Sequence, residues 1–287
     1  MEAAELFETE RPRLLGLAYR MVGSLSDAED IVSEAWARWC AADQARLDSP
    51  QAWLTTVTSR LAIDWLRSAR HQREAYVGPW LPEPVLTEPG PEDRAELADS
   101  LTLGFLTLLD RLDPVERAVF LMADVFAVPF DEIAEAVGKT SAACRQVASR
   151  ARRRLREAHV RARPQDRRVV DELLVALAMG DMDAVLARLA PDVVCISDGG
   201  KDRRAARRPV VGADRVGRFL ANLVKRYQDR MTVDLATVNG EPGVVARLDG
   251  VIDFVAAFEV DGASVRTVHI VRNPDKLRLT TAGLRLI

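Results

Sequence analysis

Apolar residues recur every three or four positions through the first 155 residues and closer to every second position near the end. The pattern therefore predicts helices first and a sheet later. In a first helix, Leu6, Leu14, Ala18 and Met21 fall near helical spacing. Ser26-Asp27-Ala28-Glu29 reads as a capping box opening a second helix. There Ile31, Ala35 and Trp39 form an apolar stripe, with Val32 and Trp36 beside it, and Asp27, Asp30 and Glu34 share the other side. A third helix is predicted from Pro50, a favoured first-turn residue. Its stripe is Leu54, Val57, Leu61 and Trp65, and its polar side carries Arg60, Arg67 and His71, with Arg70 and Arg73 nearby.

Residues 76–98 gather Pro79, Pro82, Pro84, Pro89 and Pro91 among glycines and glutamates and read as a stiff linker. Residues 99–163 return to helical spacing. Phe130, Ile133, Ala134 and Val137 make a short amphipathic helix, and Gly138-Lys139-Thr140 a tight turn. Thr140 or Ser141 caps the next helix. Its back is Cys144, Val147, Ala148, Ala151 and Leu155; its front is Ala142, Gln146, Ser149 and Arg153, flanked by Arg145 and Arg150. A short helix, a glycine turn and a helix with an Arg/Gln/Ser front form a helix-turn-helix pattern.

Arg163-Pro164 marks a further boundary. Residues 166–190 predict two helices joined at Gly180-Asp181, followed by a strand from Val193 to Ser197 and a helix from Ala213 to Tyr227. Met231–Val238, Gly243–Leu248, Gly250–Val260, Ser264–Arg272 and Leu277–Leu284 then suggest a curved antiparallel sheet. Four units result: 1–75, the linker 76–98, 99–163 and 165–287.

Composition changes this picture in two places. The 287 residues suffice for two or three cores, and no apolar run reaches the roughly 18–20 residues that span a bilayer. With an acidic start at Met1 to Glu10, a cytoplasmic location is expected. Cys40, Cys144 and Cys195 stand far apart, without metal spacing, and read as buried reduced thiols. No cofactor or metal site is predicted. The net charge of −3 hides an asymmetry. Tyr76 to Ala136 holds 13 acids and 3 bases, whereas Lys139 to Arg168 holds 11 bases and 2 acids. That basic block suits a phosphate-binding face.

The chemistry follows from the helix-turn-helix front. Arg145 can donate two hydrogen bonds to guanine and Gln146 can pair with adenine in a major groove. Ser149 can reach a base edge or phosphate, and Arg150, Arg152, Arg153, Arg154 and Arg156 supply charge for phosphates. The acidic face of the second helix, by itself, reads as ordinary stabilisation of a helix N-terminus. Trp65 fits the core stripe; Trp53 stands open between core packing and stacking on an unpaired base.

Asp27-Ala28-Glu29-Asp30-Ile31-Val32 with Glu34-Ala35-Trp36 resembles the first domain of extracytoplasmic-function (ECF) sigma factors of RNA polymerase. So do Ala52-Trp53-Leu54 and Arg60-Leu61-Ala62-Ile63-Asp64-Trp65-Leu66-Arg67. Leu112-Asp113-Pro114-Val115-Glu116-Arg117 and the helix-turn-helix resemble their second domain. Trp80-Leu81-Pro82-Glu83-Pro84, Asn273-Pro274-Asp275-Lys276-Leu277 and Asp198-Gly199-Gly200-Lys201, the last one glycine short, resemble signatures of the subgroup with a fused SnoaL-like domain. The resemblance implies a multidomain chain: two all-α sigma domains, the second with the helix-turn-helix, plus a C-terminal α+β SnoaL-like, nuclear-transport-factor-like cone. It implies that Asp27, Asp30 and Glu34 meet the β′ subunit of core RNA polymerase, a partner that also presents its β subunit. It implies that Arg60, Arg67, Arg70 and His71 act at the −10 promoter element. Ser141, Arg145, Gln146, Ser149, Arg150 and Arg153 are then the −35 contacts. The C-terminal domain would tune activity, with Trp80-Leu81 docked on it, in a chain that is monomeric when free.

Two other readings stay open at this stage. A cone of this kind often encloses an apolar pocket, so the domain could sense an unknown small ligand or be an enzyme, with Asp198, Asp253 and His269 as acid/base candidates. A plain helix-turn-helix repressor would also use the basic front, but would have no use for the first domain's motifs.

Overall fold

The computed structural model describes residues 3–74, 76–87, 100–155, 166–227 and 230–277, with backbone only at 3, 45, 70–74 and 166. The side chains of Arg70, His71 and Arg73, the strand expected over 278–284 and the boundary at 163–164 lie outside the described residues.

Three helices open the chain: α1 (Ala3–Val22), α2 (Leu25–Ala41) and α3 (Pro50–Glu74). The cap of α2 falls two residues earlier than the sequence suggests. Ser24, with extended backbone, accepts the Asp27 N–H at 3.3 Å, which leaves Ser26 inside the helix. Ile31, Val32, Ala35 and Trp39 are buried, as the stripe predicts. Cys40 lies just past that stripe and is exposed, a correction to the expected buried thiol; Cys144 and Cys195 are buried. Trp53 packs on Trp39, with ring centroids 5.7 Å apart.

The second helical unit holds α4 (Leu103–Leu109), α5 (Pro114–Phe120), α6 (Phe130–Val137) and α7 (Ser141–Leu155); α5 runs on as a π turn over Leu121–Val125. Asp113 and Glu116 form a complete capping box around Pro114. The two helical units share one continuous apolar core. This explains a shift on α3. Leu61 and Trp65 are only half-buried, while Thr58, Ser59, Ala62, Ile63 and Leu66 are buried, because α1 and α2 cover one side and α6 another.

The remaining elements are α8 (Asp166–Met179), α9 (Met182–Ala187), β1 (Leu189–Asp198), β2 (Val210–Val211), α10 (Ala213–Tyr227), β3 (Met231–Val238), β4 (Glu241–Leu248), β5 (Val251–Asp261) and β6 (Ser264–Val271). They build one six-stranded sheet in the order β2-β1-β6-β5-β4-β3. β3 to β6 pair antiparallel in sequence order, as expected, and β1, whose direction the sequence leaves open, runs parallel to β6, which makes the sheet mixed. The helical segment sends β1 in beside β6, and only the tertiary path sets its direction.

Alternation divides the sheet. Cys195, Phe254, Ala256, Phe258, Val268 and Ile270 face a core with α8 and α10. Val245, Val255, Ala257 and Val271 face the other way, onto Leu81 of the linker, Leu103 of α4 and Leu277. The outer face of the sheet is thus roofed by the linker and the second helical unit.

Candidate functional site

The helix-turn-helix is built as its residues require. Gly138 ends α6 at φ +66°, in the left-handed region, and the Lys139 N–H returns to the Ala134 carbonyl at 3.0 Å. Thr140 supplies the cap of α7, accepting the Ala143 N–H at 3.2 Å. Cys144, Val147, Ala148, Ala151 and Leu155 are buried, while Arg145, Gln146, Ser149, Arg150 and Arg153 are exposed on the front. The Arg145 guanidinium lies 5.3 Å from the Phe130 ring centroid, which limits its freedom. Three expected contributors are otherwise engaged. The Ser141 hydroxyl donates to Asp131, Arg152 pairs with Asp124 at 2.7 Å and Arg154 pairs with Glu116 at 2.6 Å. Arg156 lies outside the described residues.

On the first unit, Asp30 and Glu34 are exposed on α2, and Glu34 pairs with its own Arg38 at 2.9 Å. Asp27 sits in the first turn of that helix. Arg67 is exposed and pairs with Asp64 at 3.4 Å. Arg60 does not present its guanidinium to solvent alone. It donates to the carbonyls of Ala136 (3.1 Å) and Glu135 (2.7 Å), the C-terminal end of α6. Beside it the Ser59 hydroxyl meets Met122 Sδ at 3.4 Å. Buried arginines continue this seam. Arg117 donates to the Arg20 carbonyl and pairs with Asp110 at 2.7 Å, and Arg20 donates to Ser100 at 2.9 Å. Burial lowers the Arg20 pKa to about 10.

The linker is a structural element. Leu81 to Val85 are buried. The fully buried Asp198 carboxylate accepts from the Tyr76 hydroxyl (2.5 Å), the Leu81 N–H (3.0 Å), the Gly200 N–H (3.0 Å) and Lys276 Nζ (2.7 Å). Lys276 also donates to the Leu81 carbonyl and lies 4.1 Å from the Trp80 ring centroid. Asn273 donates to the Tyr76 hydroxyl at 2.9 Å and accepts the Asp275 N–H at 3.1 Å; Pro274 opens a 3-10 turn. Gly200, at φ +61°, leaves no room for a Cβ, which would sit 2.7 Å from Asn273. Gly199 is as tight, against the Arg203 carbonyl. Lys201, by contrast, is exposed.

From this cradle the linker reaches back to the first unit. Trp80 abuts Gly23, whose Cβ would come within 2.6 Å of the indole. Between the buried Pro82 and Pro84, Glu83 accepts the Leu25 N–H at 2.7 Å, at the start of α2. Burial raises the Glu83 pKa, and bonds from the α2 amides pull it back.

Two residues at the heart of this junction escape sequence reasoning. Asn239 accepts the Val85 N–H (2.9 Å) and donates to the Tyr19 hydroxyl (2.8 Å) and the Leu101 carbonyl (2.9 Å), tying linker and both helical units to the sheet. Its one sequence signal is Asn239-Gly240, a hairpin dipeptide, with φ of 52° and 82°. Tyr19, which also donates to the Glu83 carbonyl at 2.6 Å, carries no such signal.

The three acid/base candidates do not converge. Asp198 holds the linker. His269 is buried on the outer-face register beside Glu259, 3.9 Å away, and Asp253 is paired with Arg272 at 2.7 Å. None of the three lines the cavity of about 530 Å³ between α10 and the sheet. Among the described residues no cluster of metal-ligating side chains occurs and no helix is long and apolar enough to cross a membrane.

The sequence matches the family Sigma-70 region 2 over residues 6–72 and Sigma-70, region 4 over residues 103–155. The ECF RNA polymerase sigma factor SigJ of Mycobacterium tuberculosis is 42% identical, with 96% of this chain and 93% of that protein covered. The chain belongs to the ECF sigma factors. A probable ECF sigma factor of the same organism, SigI, is 34% identical over 96% of both chains. The crystal structure of SigJ superposes with a TM-score of 0.78 at 39% identity, covering 96% of this chain and 98% of that one. An ECF sigma factor binds core RNA polymerase and promoter DNA and directs promoter-specific initiation; it is not an enzyme. The helix-turn-helix therefore lies in sigma region 4, and the three opening helices in region 2.

Proposed function

We propose that this ECF sigma factor rests in a closed form, held by its own C-terminal domain, and opens to engage polymerase and promoter in the cytoplasm. Region 4 reads the −35 element through Arg145, Gln146, Ser149, Arg150 and Arg153. Region 2 meets the β′ subunit through Asp27, Asp30 and Glu34 and works at the −10 element through the polar side of α3, with Arg60, Arg67, Arg70 and His71. Residues 1–75, 99–163 and 165–287 act as the two promoter-engaging domains and the regulatory domain, joined by 76–98.

The observation that carries this reading is the shared core of regions 2 and 4, with Arg60 tied to α6. Two promoter elements some 25 base pairs apart are separated by roughly 85 Å along B-form DNA. The 25-residue α3 is only about 38 Å long. Regions sharing one core cannot sit on both elements, so they must part. The Asp198 cradle and Asn239 hold the connecting linker down, which makes the C-terminal domain the natural controller of that parting.

Run-off transcription with core polymerase tests this. Asp198→Asn keeps the shape of the side chain and removes the charge that holds Lys276. The variant is expected to change transcript yield severalfold while initiating at the same promoters. Unchanged yield would reject control through the cradle, and loss of promoter-specific initiation by the unaltered chain would reject the whole reading.

A further inference from the structure

The cavity between α10 and the sheet divides into an apolar part and a basic part. Its floor is apolar and aromatic, with Phe219, Leu223, Ile270 and Tyr227. Its rim carries four arginines, Arg203, Arg204, Arg226 and Arg272, against one aspartate, Asp202. Arg272 and Arg203 face Asp253 at 2.7 and 3.6 Å, which partly balances them. Arg204 and Arg226 make no ion pair among the described residues. The volume of about 530 Å³ falls in the range of roughly 300–1,000 Å³ that small-molecule sites occupy.

We infer that this cavity binds a small organic anion with an apolar body, its charge held by Arg204 and Arg226, and that occupancy is felt at the linker. Arg226 lies 5.7 Å from the Tyr227 ring centroid, but neither it nor Arg204 has a carboxylate partner among the described residues. An apolar floor beneath such guanidinium groups favours an anionic ligand over a neutral one, because burial of the body and pairing of the charge act together.

The route to the linker is short. Residues 202–206 line this cavity on one side and, on the other, a second cavity walled by Val77, Gly78 and Pro79. The wall between them is stiff. The Ala206 N–H donates to Ser197 Oγ at 2.9 Å, the Arg203 N–H to the Gly199 carbonyl at 3.1 Å, and Arg272 Nη1 to the Arg204 carbonyl at 2.9 Å. The backbone N–H of Arg272 donates to the carbonyl of Asp198, whose side chain holds Leu81. A ligand that shifts Arg204 or Arg272 therefore pulls on the loop and strand end that carry the cradle. Only this second step rests on the proposed closed form; binding itself stands apart from it.

The full chain can be titrated with two fluorescent probes of one shape, anilinonaphthalene sulfonate and the uncharged phenylnaphthylamine, while hydrogen exchange is followed over residues 76–87. The sulfonate is expected to bind at one site, about tenfold more tightly than the neutral probe. The exposed double variant Arg204→Gln/Arg226→Gln should erase that advantage while leaving the unfolding temperature and the neutral probe's affinity in place. Saturation with the sulfonate should alter linker exchange in the unaltered chain. Equal affinity for the two probes, or a sulfonate affinity indifferent to the double variant, would overturn the site. Tight sulfonate binding with unchanged linker exchange would overturn the coupling. Either result is independent of whether run-off transcription succeeds.

Discussion

Asn239 carries more of the junction than its size suggests. Its amide serves the linker, α1 and the segment before α4 at once, in a buried setting where each orphaned partner is costly. Asn239→Gly keeps the left-handed turn and removes all three bonds. Equilibrium unfolding in urea should show a loss of about 2–4 kcal/mol; a loss under about 0.5 kcal/mol would mean that water replaces the amide without penalty. His269 makes a second prediction at this scale. Burial lowers its pKa, outweighing the opposing attraction of Glu259. The folded chain then holds fewer protons here than the unfolded chain. Its contribution is fully present above the ordinary value of about 6.5 and is lost as pH falls through the lower folded value. Between pH 7 and 5 the unaltered chain should lose stability faster than His269→Gln; parallel curves would show that folding leaves the titration of His269 unshifted.

At the scale of elements, α7 was the most legible part of the chain. Its back packs chiefly on α5 and α6 of its own domain, so the 3–4 spacing of Cys144, Val147, Ala148, Ala151 and Leu155 maps directly onto burial. Its front yields a direct test. Arg145→Ala or Gln146→Ala should relax base preference at the −35 element by about 1–3 kcal/mol in competition binding with polymerase holoenzyme; unchanged preference in both variants would take the reading face elsewhere. Helix α3 was legible as a helix but not as a surface. A second domain covers part of it, so Ala62, Ile63 and Leu66 are buried where Leu61 and Trp65 were expected. Arg60 looked like a solvent-facing cation for the same reason. The parallel pairing of β1 and β6 was also hidden, because alternation records which face a residue takes and not which way the strand runs. In the cradle, the motifs 80–84, 198–201 and 273–277 were each visible, but not that one carboxylate joins all three. The bond from Asn239 to Tyr19 spans 220 residues, and no local pattern reports it.

At the scale of the molecule, three features act as one device. Regions 2 and 4 share a core, the linker from Leu81 to Val85 is buried, with Leu81 on the sheet and Val85 in the helical core, and the outer face of that sheet packs on Leu81 and Leu103. Opening the helical units exposes apolar surface, so contacts with polymerase and DNA must offset its loss. In the proposed closed form, the C-terminal domain sets that balance through the contacts it keeps on the linker. The distance between regions 2 and 4 tests this most directly. Cys40 is exposed while Cys144 and Cys195 are buried, so Cys40 and Lys139→Cys, in the exposed turn before α7, can be labelled as a pair. Pulsed electron spin resonance on the free chain should give one short distance, and on the complex with core polymerase and promoter a distance longer by some tens of Å. The same short distance in both states would contradict a closed form that opens for initiation.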